Sequence, residues 1–190
     1  MTRLPFITEE TLDPQQQKIW DGILSTRGKN GLNVEGGLIG PFNSMLFSPD
    51  VGARVSSLGA AVRFQTSLPA NLLEVAIITV GAHWRSNFEF WAHARMAIDA
   101  GVDQAVVDAI RDGDEPPFAD ADEAAVHSMA RSLLTTGRCG DAEYAAVAES
   151  LGNVAVVELT TLIGYYCLIS LTLNNFAIEL PDGIEPIWPI

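Results

Sequence analysis

Apolar residues in this chain recur mostly at helical spacing, and the breaks between runs carry helix-ending chemistry. Leu12-Asp13-Pro14 opens the first run. Asp13 suits an N-cap, Pro14 suits the first turn, and Ile19, Trp20, Ile23 and Leu24 form one stripe. Ser48-Pro49 starts a second helix, with Val51, Val55, Leu58 and Val62 on one side and an end near Gln65. After the break at Ser67-Leu68-Pro69, residues 72–80 are nearly all apolar. Periodicity alone fits a buried strand there, whereas the length and Pro69 favour a helix. Ser86 to Glu89 has capping-box spacing, and the helix that it opens stops at Ala100-Gly101. Further helices are expected over 104–110, 121–134, 142–151 and 154–178, the last two parted by Gly152-Asn153. Between the first two helices, Arg27 to Pro41 holds glycines 28, 31, 36, 37 and 40 and reads as a mobile loop. With no hairpin signal and no fixed repeat, the pattern predicts an all-α helical bundle.

Composition narrows the function classes. The chain of 190 residues is 48% apolar and 18% charged, which suits one folded domain over 1–190 rather than disorder. Its net charge of −13 repels phosphate backbones, so no nucleic acid partner is expected. The same field opposes an anionic substrate unless particular arginines face it. Cys139 and Cys167 lie far apart and in no metal or CxxC spacing, and the first residues carry no secretory signal; a cytoplasmic location is expected. Residues 159–178 are uncharged and long enough to span a bilayer. They nevertheless include Thr160, Thr161, Gly164, Ser170, Thr172, Asn174 and Asn175, without a basic flank. A helix buried at a subunit interface accounts for them better than a membrane span.

The candidate chemistry lies between Glu74 and His93. Ser86, Glu89 and His93 are three and four residues apart and share one face of a helix. Glu74 is a lone carboxylate in an aliphatic helix and needs a partner if it is buried. Two helices packed as a hairpin would bring Glu74 to His93. Two plainer readings stand beside this one: Ser86 and Glu89 as a capping box, and Glu89 with His93 as a solvated pair. His83 and His127 share no zinc spacing with His93, so no metal site is expected.

This run resembles the carboxymuconolactone decarboxylase and alkylhydroperoxidase D superfamily. In the alkylhydroperoxidase D branch a Glu is followed twelve residues on by CxxC, with His four beyond the second Cys. Glu74 and His93 match that pattern, while Ser86 and Glu89 stand at the cysteine positions. The decarboxylase branch places Glu four before the His, as Glu89 and His93 do, although Trp91 stands where a basic residue is expected. The likeness implies an alkylhydroperoxidase D-like bundle with its core over 49–130, a helical N-terminal extension over 1–48, and C-terminal helices and tail over 141–190.

Without the cysteines, thiol-dependent peroxide reduction is implausible, because Ser and Glu cannot exchange disulfides. The resemblance instead implies a cofactor-free lyase or isomerase of small oxygenated organic acids or lactones. His93 would move the proton, Glu89 orient and charge it, and Glu74 act as a second acid or base; Glu89 should raise the His93 pKa. Ser86 and Tyr165 would bind substrate oxygen, and Arg85 would pair with Glu74 or with a substrate carboxylate. The alternatives are a non-catalytic binding or assembly protein with this fold, or a redox protein using Cys139 or Cys167. A homo-oligomer, a trimer or its multiple, follows from the resemblance and from the apolar C-terminal helix and tail (residues 184–190).

Overall fold

A computed structural model gives the fold and describes residues 2–189; Ile190, at the end of the apolar tail, lies outside them. Eight helices follow one another: α1 (Pro14–Arg27), α2 (Phe42–Leu46), α3 (Pro49–Phe64), α4 (Ala70–His83), α5 (Asn87–Asp99), α6 (Gln104–Asp112), α7 (Ala121–Thr136) and α8 (Asp141–Asn175). Among the described residues the only β pairing is two isolated bridges in the N-terminal segment. The fold is all-α.

Local chemistry sets the helix ends. At α1 the Asp13 carboxylate accepts from the Gln15 and Gln16 amides, and the Gln16 side chain accepts from the Asp13 amide, which completes a capping box. Gln16 also donates to the Leu46 carbonyl at 2.9 Å, tying α1 to α2. Within α8, Gly152 at φ 82° leaves helical geometry, so two helices meet end to end where the sequence places a break.

Helix α4 is the centre. Residues 72–81 are buried in sequence, and α5, α7 and α8 pack around them. A helix that is apolar all round is the kind that other helices enclose. Glu158 on α8 accepts from the amide and hydroxyl of Ser67, at 2.8 and 2.7 Å, and so fixes the α3–α4 turn. By length and composition α8 could cross a membrane, but half of its most apolar window is buried in this bundle.

Two sequence expectations need correction. The stripe on α3 faces the core only in part: Val51 and Leu58 are exposed, whereas Val55 and Val62 pack inward. The inward face combines these two valines with glycines. A Cβ on Gly52 would sit 2.1 Å from the Met45 carbonyl oxygen, so α2 and α3 approach through a bare backbone. The glycine-rich segment is also more ordered than a mobile loop. It forms a 3-10 turn over Gly28–Gly31, a Leu32–Leu38 bridge, and then α2, which periodicity had not suggested. Buried Asn43 of α2 pins the N-terminal segment, accepting from the Ile7 amide and donating to the Pro5 carbonyl at 3.0 Å each.

Candidate active site

Glu74 and His93 meet because α4 and α5 pack as a hairpin across a tight turn. The Ser86 amide donates to the Gly81 carbonyl at 2.9 Å, and Arg85 takes a left-handed φ of 47° to make the turn. His93 Nδ1 lies 2.7 Å from Glu74 Oε2, and the carboxylate is 2% exposed. The other Glu74 oxygen is held by the Arg63 guanidinium of α3. His93 Nε2 lies 3.1 Å from Glu89 Oε1, a close ion pair that is off-line for a hydrogen bond. Arg63, Glu74, His93 and Glu89 thus form a chain of alternating charge, and its last three members are buried.

With a carboxylate at each ring nitrogen, His93 is held as an imidazolium. Burial on its own would lower its pKa. The charge of Glu89, and then the hydrogen bond and charge of Glu74, outweigh that and raise it to about 9. The Tyr166 ring meets the imidazole edge to face at 5.2 Å, and Tyr165 meets Tyr166 in the same way at 5.3 Å. Burial first, then the Glu89 charge, push the Tyr165 phenol up to about 12.

The array opens on a cavity of about 650 Å³ between α1, α3, α5 and α8. Glu89 and His93 line it, whereas Glu74 lies behind the imidazole. Phe42, Phe88, Trp91, Tyr165 and Tyr166 supply aromatic walls, and Arg27 and Arg95 supply charge. Arg27 stacks over Phe42 with its guanidinium carbon 4.3 Å from the ring centre. Neither Arg27 nor Arg95 is ion-paired to a carboxylate among the described residues. The glycine-rich segment closes one side, where a Cβ on Gly40 would lie 2.8 Å from Phe88.

Of the residues singled out in sequence, the structure brings together Glu74, Glu89 and His93, with Tyr165 on the same cavity. Ser86 is fully buried beside the array without lining the cavity; its hydroxyl makes no cap bond and has no partner. The capping-box reading therefore fails, because Glu89 turns to His93 instead. Arg85 lies apart, on a second hollow, and the partner of Glu74 is Arg63. Sequence reading missed Arg63, Arg27 and Tyr166. Only the need of buried Glu74 for a cation hinted at Arg63. Among the described residues no group of three or more His, Cys, Asp or Glu is arranged to hold a metal. Cys139 and Cys167 are half-buried and line neither cavity.

No family model matches the sequence, and no curated protein matches it. Solved structures do match the fold. The alkylhydroperoxidase AhpD core of an uncharacterized peroxidase-related protein from Ralstonia eutropha superposes with a TM-score of 0.77 at 14% identity, over 95% of this chain and 93% of that one. The debrominase Bmp8, as a Cys-to-Ala variant with 2,3,4-tribromopyrrole, gives 0.73 at 14% identity over 96% and 93%. A peroxidase-related protein from Silicibacter gives 0.71 at 10% identity over 94% and 91%. The chain therefore has the alkylhydroperoxidase D-like fold that its motif resembles.

Proposed function

We propose that this protein is a lyase or isomerase that moves a proton at a carbon next to a carbonyl in a small oxygenated organic acid or lactone. One observation carries the reading: a buried imidazolium, clasped by two carboxylates, at the wall of a cavity within the size range of small-molecule sites. The geometry refines the roles expected from sequence. Glu74, fixed by Arg63, holds Nδ1–H and orients the ring. Glu89 faces the cavity beside Nε2.

In an isomerisation, Glu89 takes the proton from the carbon, and the C–H electrons pass into the enolate. His93 Nε2–H then donates to the new carbon, and Glu89 returns its proton to Nε2 across the 3.1 Å contact. In a decarboxylation the C–C electrons form the enolate as carbon dioxide leaves. His93 protonates the carbon and is recharged from solvent. Arg27 and Arg95, cations without carboxylate partners among the described residues in a chain of net charge −13, would draw the substrate acid inward. The debrominase neighbour binds a small substituted ring, which this cavity has room to take. Screening small keto acids and lactones in deuterium oxide, for exchange at carbon and for carbon dioxide release, tests the reading. Turnover that needs His93 supports it. Tight binding of such acids with neither exchange nor release would instead favour a binding protein.

We also propose that a second copy of the chain covers the outer face of α8. Val154, Val157, Thr161, Gly164, Leu168 and Leu171 alternate three and four apart, and the four large apolar members are 41–66% exposed.

A further inference from the structure

The second hollow, of about 230 Å³, lies among the C-terminal ends of α4 and α6 and the middle of α7, and shares no lining residue with the first. Arg85, Arg111 and Arg131 line it against a single carboxylate, Asp112. Arg111 is committed to Asp112 and Asp108, at 2.8 and 2.7 Å. Arg85 and Arg131 have no carboxylate partner among the described residues. The charge there is opposite in sign to that of the chain as a whole. Arg85 also holds a left-handed φ that a β-carbon disfavours, and that strain aims a cation at this rim.

His127 sets what the hollow can accept. The Thr79 hydroxyl donates to the Val75 carbonyl at 2.7 Å, so toward His127 Nδ1, 2.9 Å away, it acts as acceptor. Nδ1 therefore carries the hydrogen, and Nε2 is left with a lone pair and no partner among the described residues. The ring packs at 5.3 Å from Phe118 and is buried. Burial, and then Arg131, lower its pKa to about 4, so the lone pair is present at neutral pH. His83 and Arg85 from the end of α4, Arg111 and Asp112 from α6, and Arg131 from α7 are the charged or titratable groups around it.

We propose that this hollow binds a small oxyanion that carries a proton near neutral pH, of the phosphate type. The free guanidinium groups of Arg85 and Arg131 take its charged oxygens, and its O–H donates to His127 Nε2. Sulfate has the same shape and charge but no proton at neutral pH, so it leaves the Nε2 lone pair facing an oxygen lone pair.

Calorimetric titration of the full chain with inorganic phosphate, and separately with sulfate, tests this. Phosphate should bind at least about tenfold more tightly than sulfate. Arg85→Gly suits the backbone φ and so keeps the fold; it should weaken phosphate by about tenfold or more, as should Arg131→Gln. His127→Leu should lower phosphate to the level of sulfate without changing sulfate. At pH 6, where about half of a simple phosphomonoester keeps its proton, a monoester that binds as phosphate does would mark the hollow as a site for a larger phosphorylated ligand; phosphate alone would mark it as a site for the free ion. No binding of phosphate at millimolar concentration, or equal binding of both anions, overturns the proposal.

Discussion

His93 carries a buried positive charge, and what it does depends on keeping it. His93→Ala should lose about 100-fold or more in turnover, the scale of a positioned acid. Retained turnover in a well-folded variant would remove it from the chemistry. With a pKa of about 9, the acid form is lost as pH rises through that value, so the rate should fall on the basic side there. Glu89→Gln removes the charge that most favours imidazolium and should move that limb to lower pH. Arg63 is a second residue to test. Removing one partner of a buried pair costs about 3–5 kcal/mol, and the Arg63 side chain is 21% exposed, so Arg63→Met should cost less, about 1–3 kcal/mol by chemical denaturation. No loss of stability would mean that His93 alone suffices to hold the Glu74 charge.

At the scale of elements, the N-terminal segment and α5 interlock at Gly40 and Phe88. Gly40 holds φ at 60°, and a methyl group there would collide with the Phe88 ring. Gly40→Ala combines backbone strain of roughly 1–2 kcal/mol with an overpacking cost of about 1–3 kcal/mol. The melting temperature should fall by several degrees, and the cavity wall should shift. An unchanged melting temperature would show that the segment is not seated on α5. The α4–α5 hairpin was legible in sequence, because a capping position and a glycine stop bound α5 and a buried carboxylate on α4 required a partner. The seating of α2 was not, since five residues are too few for a periodic stripe and its contacts run to residues distant in sequence.

For the whole molecule, two histidines pull stability in opposite directions. The folded pKa of His93 lies above the unfolded value near 6.5, so its contribution is full below pH 6.5 and is lost as pH rises through about 9. That of His127 lies below, so its contribution is full above pH 6.5 and is lost as pH falls through about 4. Imidazole resonances followed by NMR should titrate near 9 and 4; values near 6.5 for both would contradict the burial and pairing described. The outer face of α8 leads to a last expectation. Light scattering should find an oligomer, and Val157→Glu with Leu168→Glu should yield monomers that keep their helix content. A parent that is monomeric at micromolar concentration would refute the assembly.

The longer helices, most of their ends and the Glu89–His93 pair followed from the sequence alone, because period, capping chemistry and spacing along a helix are local properties; α2, and the end-to-end joining of two helices into α8, did not. Tertiary structure alone decided the rest. It assigned Arg63 rather than Arg85 to Glu74, since cation and carboxylate meet through the packing of α3 on α4. It turned Gly52 of α3 inward and left Val51 and Leu58 outside, because close backbone approach at Gly52 outweighs the burial of two aliphatic side chains. It also divided the work of the two glutamates, placing Glu74 behind the imidazole and Glu89 on the cavity. Spacing along α5 places one carboxylate within reach of the ring, but only the packing of neighbouring helices brings the second and determines which side of that ring meets the cavity.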